Sequence, residues 1–346
     1  MSQKNLNALS RTHKFLANKL KDKQTFKIYN KFEKELKINE DFIVAVSGGP
    51  DSLALSFLSK VYSIKKSLNV KYLLIDHKLR DNSSTEAIFV KNLFKKLSIK
   101  LSILKWIGKK PKSNIQSLAR SKRYNLLITQ AKKLNINNIL LGHHEDDLFE
   151  NFFIRILRGS GLKGIISLDK ISQYQNINLI RPLLNFSKKD LTNITDKVFR
   201  KYILDPSNED EKFKRVRVRN FIKNLKNEGL DRNKLNLTIK NLKYSNETII
   251  FFTKKKFLDN TFFFKKKKRI VINEEFFNQP EEIVFRSLTE VINNIGKKYY
   301  PPRGKKLNKI IKLANEGVPF KITLGNCIFR KVNKTFFIIL GVLISI

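Results

Sequence analysis

Residues 42–52 read FIVAVSGGPDS, and this stretch decides the fold. Phe42–Val46 is a continuous apolar run rich in β-formers, the pattern of a strand buried on both faces of a parallel sheet. Ser47–Ser52 (SGGPDS) breaks the run, and a helical pattern follows from Ser52 to Leu68. Gly48 and Gly49 let backbone amides approach an anion closely and in unusual dihedrals. Pro50 suits the first helical turn, where its missing N–H costs nothing. The helix start adds the positive end of its dipole. The Ser47 and Ser52 hydroxyls can donate to phosphate oxygens. Asp51 beside a phosphate is repulsive unless a divalent cation lies between them, so the loop predicts a nucleotide phosphate with Mg2+. Neither the Walker A spacing nor the dinucleotide GxGxxG spacing is present.

Working outward, two more apolar strands follow at Tyr72–Asp76 (YLLID) and Asn138–Leu141 (NILL), with a candidate at Leu101–Trp106 (LSILKW). Helical patterns at Ser84–Leu97 and Ile115–Leu134 separate them. Strand and helix in this alternation predict an α/β fold with a doubly wound parallel sheet. The segments after the strands are SGGPDS, DHKLR (Asp76–Arg80) and GHHEDD (Gly142–Asp147). They are the most chemically capable segments of the first half, and they fall at the strand carboxyl ends, where ligands of such sheets sit.

The parallel pattern stops after RPLL (Arg181–Leu184) and a helix near Ser187–Phe199. Lys212–Thr253 reads as helices with lysines on the solvent side. Phe251–Phe257 and Thr261–Ile272 mix aromatics with positive charge. Helices at Glu281–Ile295 and Lys305–Asn315 precede a terminal strand pair, Phe320–Leu324 and Cys327–Lys331. This predicts a flexible basic N-terminal extension followed by a helix around Phe26–Leu36 within 1–40, and an α/β domain carrying the phosphate loop over 41–210. A basic helical region follows over 211–255, and a small α+β domain over 256–346.

The 346 residues hold 70 Lys or Arg against 30 Asp or Glu, a net charge of +40. Drift toward Lys and Asn codons explains much of the magnitude; the sign points to a polyanionic partner. One cysteine, Cys327, excludes a disulfide framework and any CxxC pair within the chain. Met1 is followed by a polar, basic stretch without an apolar signal core. The longest apolar run, Phe336–Ile344, falls short of the ~20 residues of a membrane span and reads as a buried terminal strand. The expectation is a cytoplasmic enzyme with no membrane partner.

SGGPDS resembles the PP-loop of the ATP pyrophosphatases, an adenine nucleotide alpha hydrolase-like fold whose members cleave ATP between its α and β phosphates. The other motifs resemble one family among them, the tRNA(Ile)-lysidine synthetases. DHKLR is similar to that family's DHxLR box, and NIQSLARSKRY (Asn114–Tyr124) to its NxQxxARxxRY box. GHHEDDLFENFFIRILRGSGLKG (Gly142–Gly164) is similar to its GHHxDDxxET…RGxGxxG box. RPLL, DPSNED (Asp205–Asp210) and ITLGNC (Ile322–Cys327, after YPPRGKK at Tyr300–Lys306) resemble later elements. The match runs from about residue 40 to 335, and it implies that 41–210 is the PP-loop ATP-binding catalytic domain and 211–255 a helical tRNA-contacting region. Asn151 departs from the family's Thr, ITLGNC lacks a second glycine, and KRVRVRN (Lys214–Asn220) carries extra arginines at a longer spacing.

The resemblance implies a carbon–nitrogen ligase using ATP and Mg2+. The wobble cytidine of a CAU-anticodon tRNA(Ile) is adenylated at its C2 oxygen with release of pyrophosphate, and the ε-amine of free L-lysine then displaces AMP. Positioning and charge neutralisation are the protein's share. Asp51 would hold Mg2+ across the pyrophosphate. Ser47, Gly48, Gly49, Pro50 and Ser52 would cradle phosphate, with Asp76 and His77 at the nucleotide; the alternative is a turn in which Asp76 is satisfied and His77 and Arg80 are exposed. Arg120 and Arg123, three apart on a helix, share a face and suit developing charge on the α-phosphate. His143 and Asp147 join the nucleotide site, with Asp146 capping or facing substrate. His143, His144, Asp146 and Asp147 lack the converging partners a zinc site needs. Glu145, Asp146 and Glu150 are candidates for the lysine amines.

Arg215, Arg217 and Arg219 alternate with Val216 and Val218. They would line one face of a strand or spread over a helix, and in either case are candidates for the tRNA phosphate backbone. Lys265–Arg269 reads as a solvated basic face, and Phe262–Phe264 as core packing or base stacking. A homodimer is compatible with all of this. The rivals are a tRNA thiolase, whose chemistry wants paired cysteines, and a non-catalytic RNA-binding protein, which has no use for Asp51 beside two glycines.

Overall fold

The FIVAV run forms β1 (Phe42–Val46), the third strand of a six-stranded sheet. In this computed structural model the described residues are 3–78, 82–108, 115–205, 210–264, 269–296 and 304–341. Arg80, Asn114, Pro206 to Glu209, Lys265 to Lys268 and Tyr300 to Arg303 lie outside them. β1 pairs in parallel with β2 (Val70–Asp76) and β4 (Asn138–Leu140), Val44 standing opposite Tyr72 on one side and Leu140 on the other. β3 (Leu101–Lys105) adds to β2, and β6 (Ile177–Ile180) to β4, both parallel. β5 (Ile171–Tyr174) closes the edge antiparallel to β6. The order is β3-β2-β1-β4-β6-β5.

Alternation along the strands feeds two cores. Phe42, Val44, Val46, Tyr72 and Leu74 face one, and Ile43, Leu73, Ile75, Ile139 and Leu141 the other. The first is covered by α2 (Lys23–Glu35), α3 (Pro50–Lys65), α4 (Ser83–Lys96) and α8 (Lys188–Val198), the second by α5 (Ile115–Lys133). This is the doubly wound sheet read from the sequence. α3 is buried on nearly all sides, with Leu53, Ala54, Leu55, Phe57 and Leu58 shut from solvent. Each large apolar side chain so buried contributes ~1.5–3 kcal/mol before entropy is counted. α8 is pinned to the first turn of α3 by the Thr195 hydroxyl, which donates to the Pro50 carbonyl at 2.7 Å.

Two elements depart from the sequence reading. A helix, α1 (Gln3–Leu20), occupies the polar start, with Leu16 as a buried contact. The β5–β6 hairpin has strands of four residues each, a polar edge strand ISQY and the buried INLI, too short to stand out in sequence; its turn residues Gln175 and Asn176 sit at φ 50° and 67°, as a two-residue primed turn demands.

The chain divides into two compact units, Met1–Leu235 and Asn236–Ile346. The first also holds α6 (Glu145–Ile156), α7 (Leu162–Ile165) and α9 (Lys214–Asn227); α10 (Arg232–Asn260) leads into the second. The second unit has an antiparallel sheet of β7 (Thr261–Phe264), β8 (Arg269–Ile272), β9 (Lys321–Leu324), β10 (Cys327–Val332) and β11 (Thr335–Leu340), ordered β7-β8-β11-β10-β9. α11 (Glu281–Gly296) and α12 (Gly304–Asn315) supply Leu288, Val291, Ile292, Leu307 and Ile310 to its single core. The terminal apolar run becomes β11, with Phe336 and Ile338 buried there.

ITLGNC turns between β9 and β10 through Gly325 and Asn326, at φ 62° and 63°. Asn tolerates the left-handed region, so the missing second glycine is accommodated. The close neighbour of this turn is Gly296, where an added Cβ would lie 2.0 Å from the Gly325 carbonyl oxygen. Gly296→Ala should therefore destabilise the second unit by ~3 kcal/mol, the upper end for overpacking. Urea unfolding checks this, and an unchanged midpoint would show that the turn can shift.

Candidate active site

The phosphate loop is closed on itself. Gly48 has φ 87°, and a Cβ there would come within 2.6 Å of Val90 and 2.8 Å of Ile203, so neither backbone nor space admits another residue. Its carbonyl accepts from the Ile203 N–H at 2.9 Å. The buried Ser52 hydroxyl accepts from the Ser47 and Gly48 amides, both at 3.1 Å, and donates to the Gly49 carbonyl at 3.0 Å. Ser52 thus clasps the loop, while Ser47 is exposed. Gly49 caps α3 and Pro50 opens it. Gly142 abuts the loop, since a Cβ there would sit 3.3 Å from the Ser52 backbone.

That contact brings in the second motif. His144 is the N-cap of α6: its Nδ1 accepts from the Asp146 amide at 3.2 Å, and the Asp147 carboxylate accepts from the His144 amide at 3.0 Å. With Nδ1 an acceptor, the proton of neutral His144 lies on Nε2. Nε2 stands 3.6 Å from Asp51 Oδ2 and 3.7 Å from Asp147 Oδ2. His144, which the sequence reading leaves without a site role, therefore bridges the two carboxylates.

Asp51 Oδ1 is buried and has no hydrogen-bond partner among the described residues. Burial pushes its carboxyl up; Asp147 adds to this, while His144 and Lys188, 4.0 Å from Oδ2, oppose it. Asp147 is also driven up by burial, but His144, His143, the His144 amide and Arg215 outweigh that and hold it ionised. Among the described residues no three His, Cys, Asp or Glu side chains converge to hold a metal alone. Asp51 fits a cation that takes its other ligands from phosphate and water, which is how Mg2+ is usually held.

The other predicted residues fall into two groups. Asp76 is buried, and its carboxylate accepts from the Lys78 amide (3.0 Å) and from the Ser83 (2.9 Å) and Ser84 (2.7 Å) hydroxyls, organising the turn into α4. His77 packs its ring edge-on to Trp106, and burial with Arg123 nearby lowers it to about 4. His143 is lowered to about 3 by burial, reinforced by Arg181, Arg120 and Arg123 against Asp147. Both imidazoles are neutral near pH 7, and each has a buried Nδ1 without a partner among the described residues. Arg120 and Arg123 flank the Tyr124 ring, at 5.2 and 5.8 Å, and Arg123 also feels Arg215. Arg181 of RPLL, buried and bonded to the Asp169 carbonyl at 2.8 Å, joins this field. The sequence offered it only as a family motif. Such a gathering of guanidinium groups suits a polyanion.

The alternating arginines lie on a helix, α9, with Val216 and Val218 buried. Arg215 and Arg219, four apart, share a face; Arg217 instead donates to the Glu211 and Lys212 carbonyls at 2.7 and 2.9 Å. Arg219 pairs with Glu150, whose side chain is 3% exposed. Arg232 pairs with Glu145 and, at 2.6 Å, with Asp146, over the Phe149 ring. The carboxylates proposed for a lysine amine thus each face a guanidinium. Asp146, Glu150, His144, Lys188 and Arg219 line one cavity of about 230 Å3 beside Asp51.

Arg219 and Arg215 should separate in mutagenesis. Arg219→Ala strands a buried carboxylate and should lower stability by ~3 kcal/mol, the low end for a broken buried pair because Arg219 is 34% exposed. Arg215→Ala should leave the unfolding midpoint within ~0.5 kcal/mol and weaken RNA binding instead. Thermal unfolding and filter binding read the two effects; equal losses of stability would refute the division.

Residues 19–226 match the family model of the PP-loop domain. A tRNA(Ile)-lysidine synthase of Wolbachia pipientis wMel is 35% identical over 304 residues, spanning 87% of this chain and 70% of that protein. The enzyme of the same name from Orientia tsutsugamushi (strain Boryong) is 41% identical over 187 residues, 54% of this chain and 42% of that one. Among solved structures, the U34-tRNA thiolase NcsA from Methanococcus maripaludis, with its 4Fe–4S cluster, superposes with a TM-score of 0.56 at 15% identity. It covers 65% of this chain and 79% of its own, which speaks to fold alone. Motif order, loop geometry and these similarities agree: the chain belongs to the tRNA(Ile)-lysidine synthase family of PP-loop proteins.

Proposed function

We propose that this protein ligates free L-lysine to C2 of the wobble cytidine of tRNA(Ile) bearing a CAU anticodon. The observation that carries the reading is the half-buried Asp51 carboxylate at a closed glycine loop, its Oδ1 shut from solvent and unpartnered among the described residues, next to a cavity lined by Asp146 and Glu150. The PP-loop domain binds ATP. When bound, Mg2+ would neutralise the phosphates against Asp51. The loop amides and the α3 start orient the nucleotide. Arg120, Arg123 and Arg181 offset charge as the cytidine C2 oxygen bonds to the α-phosphorus and pyrophosphate leaves. In the second step the lysine ε-amine bonds to C2 and AMP departs. Asp146 and Glu150 hold the amino acid in the cavity beside His144, with Glu145 outside its lining and paired to Arg232. Ser47 contacts phosphate; Ser52 and Asp76 hold the loops in shape. Arg215 and Arg217 meet the tRNA backbone. No helix among the described residues is long and apolar enough to cross a membrane, and we assign the reaction to the cytoplasm.

A thiolase reading has little support: the one cysteine, Cys327, is fully buried in the second unit, with its thiol 3.7 Å from the Ile292 carbonyl.

Incubation with ATP, Mg2+, labelled lysine and a CAU-anticodon tRNA(Ile) transcript should incorporate lysine with release of one pyrophosphate and one AMP per product. A transcript with uridine at the wobble position should give none. Incorporation into neither would overturn the proposal.

Asp51→Asn should abolish pyrophosphate release without unfolding the protein. The sign of the stability effect follows from the raised carboxyl of Asp51. A group whose folded pKa exceeds its unfolded value favours folding only while protonated, and that contribution is gone once pH rises through the folded value. At pH 7 the ionised carboxylate therefore opposes folding, and the amide should raise the melting temperature of the nucleotide-free protein. A variant with normal turnover would remove Asp51 from the chemistry.

A further inference from the structure

We propose that the open face of the second unit's sheet is a binding platform for unpaired nucleotides of the RNA substrate. α11 and α12 cover the other face. The registers run one row of side chains straight across five strands: Phe262 opposite Val271, Val271 opposite Phe337, Phe337 opposite Arg330, and Arg330 opposite Lys321. The next row on the same face begins with Phe264 opposite Arg269, whose guanidinium stands 4.9 Å from the ring centre. Phe262 and Phe264 are 55% and 44% exposed, as is Phe263 at 54% on the opposite side of this edge strand, so β7 reaches beyond the core and all three rings meet solvent.

Residues sharing this face include no Asp or Glu among those described. Aromatic rings on β7 and β11 flanked by Arg269, Arg330 and Lys321 offer base stacking and phosphate contact together. Single-stranded RNA is bound through this pairing, whereas a duplex hides its base faces. At ~4.8 Å per strand the first row spans roughly 19 Å, enough for several splayed nucleotides. A second copy of the chain is a poorer occupant, because its own Arg330 and Lys321 would meet the same cations with no carboxylate between them. The reading that the substrate is a tRNA supplies only the identity of the RNA; the chemistry of the face stands without it.

The test uses the full chain, without ATP or lysine, and a fluorescent oligo(U) octanucleotide beside a blunt RNA duplex. Phe262→Ala with Phe264→Ala changes two exposed side chains and should leave folding intact, as circular dichroism verifies. Octanucleotide affinity should drop about tenfold per ring, with duplex affinity and the log–log salt slope unchanged, because no charge is removed. Arg330→Gln should instead make that slope shallower by about 0.7. Failure of the wild type to bind the octanucleotide, or equal binding by the double variant, overturns the proposal. So does loss of a sedimenting dimer in the double variant with oligonucleotide binding intact, which would mark a self-association face. If oligonucleotide binding behaves as expected but no lysine enters any tRNA, the ligase reading falls and this face remains.

Discussion

A buried carboxylate with an unpartnered oxygen is among the least favourable groups a fold can hold, because burial removes water and supplies no donor in return. Asp51 is partly in that position: its Oδ1 is shut from solvent without a partner among the described residues, while the side chain as a whole is 23% exposed. The nearest side-chain nitrogens, His144 Nε2 at 3.6 Å and Lys188 Nζ at 4.0 Å, stand beyond hydrogen-bond range. The cost is borne because the surrounding structure leaves the side chain no escape. β1 is fixed from both sides of the sheet, Gly48 is locked under Val90 and Ile203, Ser52 ties the loop amides, and Thr195 holds the first turn of α3. The demand left at Asp51 is for a positive charge brought by a ligand.

The sequence showed the parts of this machine that are local and missed those that are not. A central parallel strand is buried on both faces, so its residues must all be apolar, and FIVAV announces itself. β5 and β6 are four residues each; Ile177, Leu179 and Ile180 are buried, but so short a run beside the polar ISQY does not stand out from a loop. Arg232 lies 87 residues from Glu145, and Arg219 lies 69 from Glu150. No local pattern reports a partner at that range. The RVRVR alternation fits a strand as well as a helix; only the packing of α9 against α6 shows that Arg215 and Arg219 point together while Arg217 does not. His144 was passed over because a capping histidine and a bridging histidine look the same in sequence.

The same packing changes what the +40 charge means. Arg219 and Arg232 are spent on carboxylates inside the first unit, so the count of basic residues overstates the surface available to RNA. What matters is placement: cations without internal partners, on faces free of Asp and Glu. In the second unit the fold achieves this by putting its carboxylates elsewhere than on the open sheet. Phe262 and Phe264 then lie exposed on the edge strand, with Arg269 beside Phe264 and Arg330 and Lys321 on the far strands of the same face.

The guanidinium partners of the cavity also bear on how lysine could react there. A free ε-amine is mostly ammonium at pH 7, since its ordinary pKa is ~10.4, and an ammonium is no nucleophile. Carboxylates attract the ammonium and would hold it protonated if they acted alone. Here Glu150 is neutralised by Arg219, and Glu145 with Asp146 by Arg232, while Lys188 adds a further positive charge to the cavity. An amine entering such a site gains hydrogen-bond acceptors but little net negative field, so its proton is held less tightly than beside unpaired carboxylates. Under the proposed ligation these ion pairs would separate two tasks. The carboxylate oxygens would set where the amine lies, and the arginines behind them would lower the cost of removing its proton.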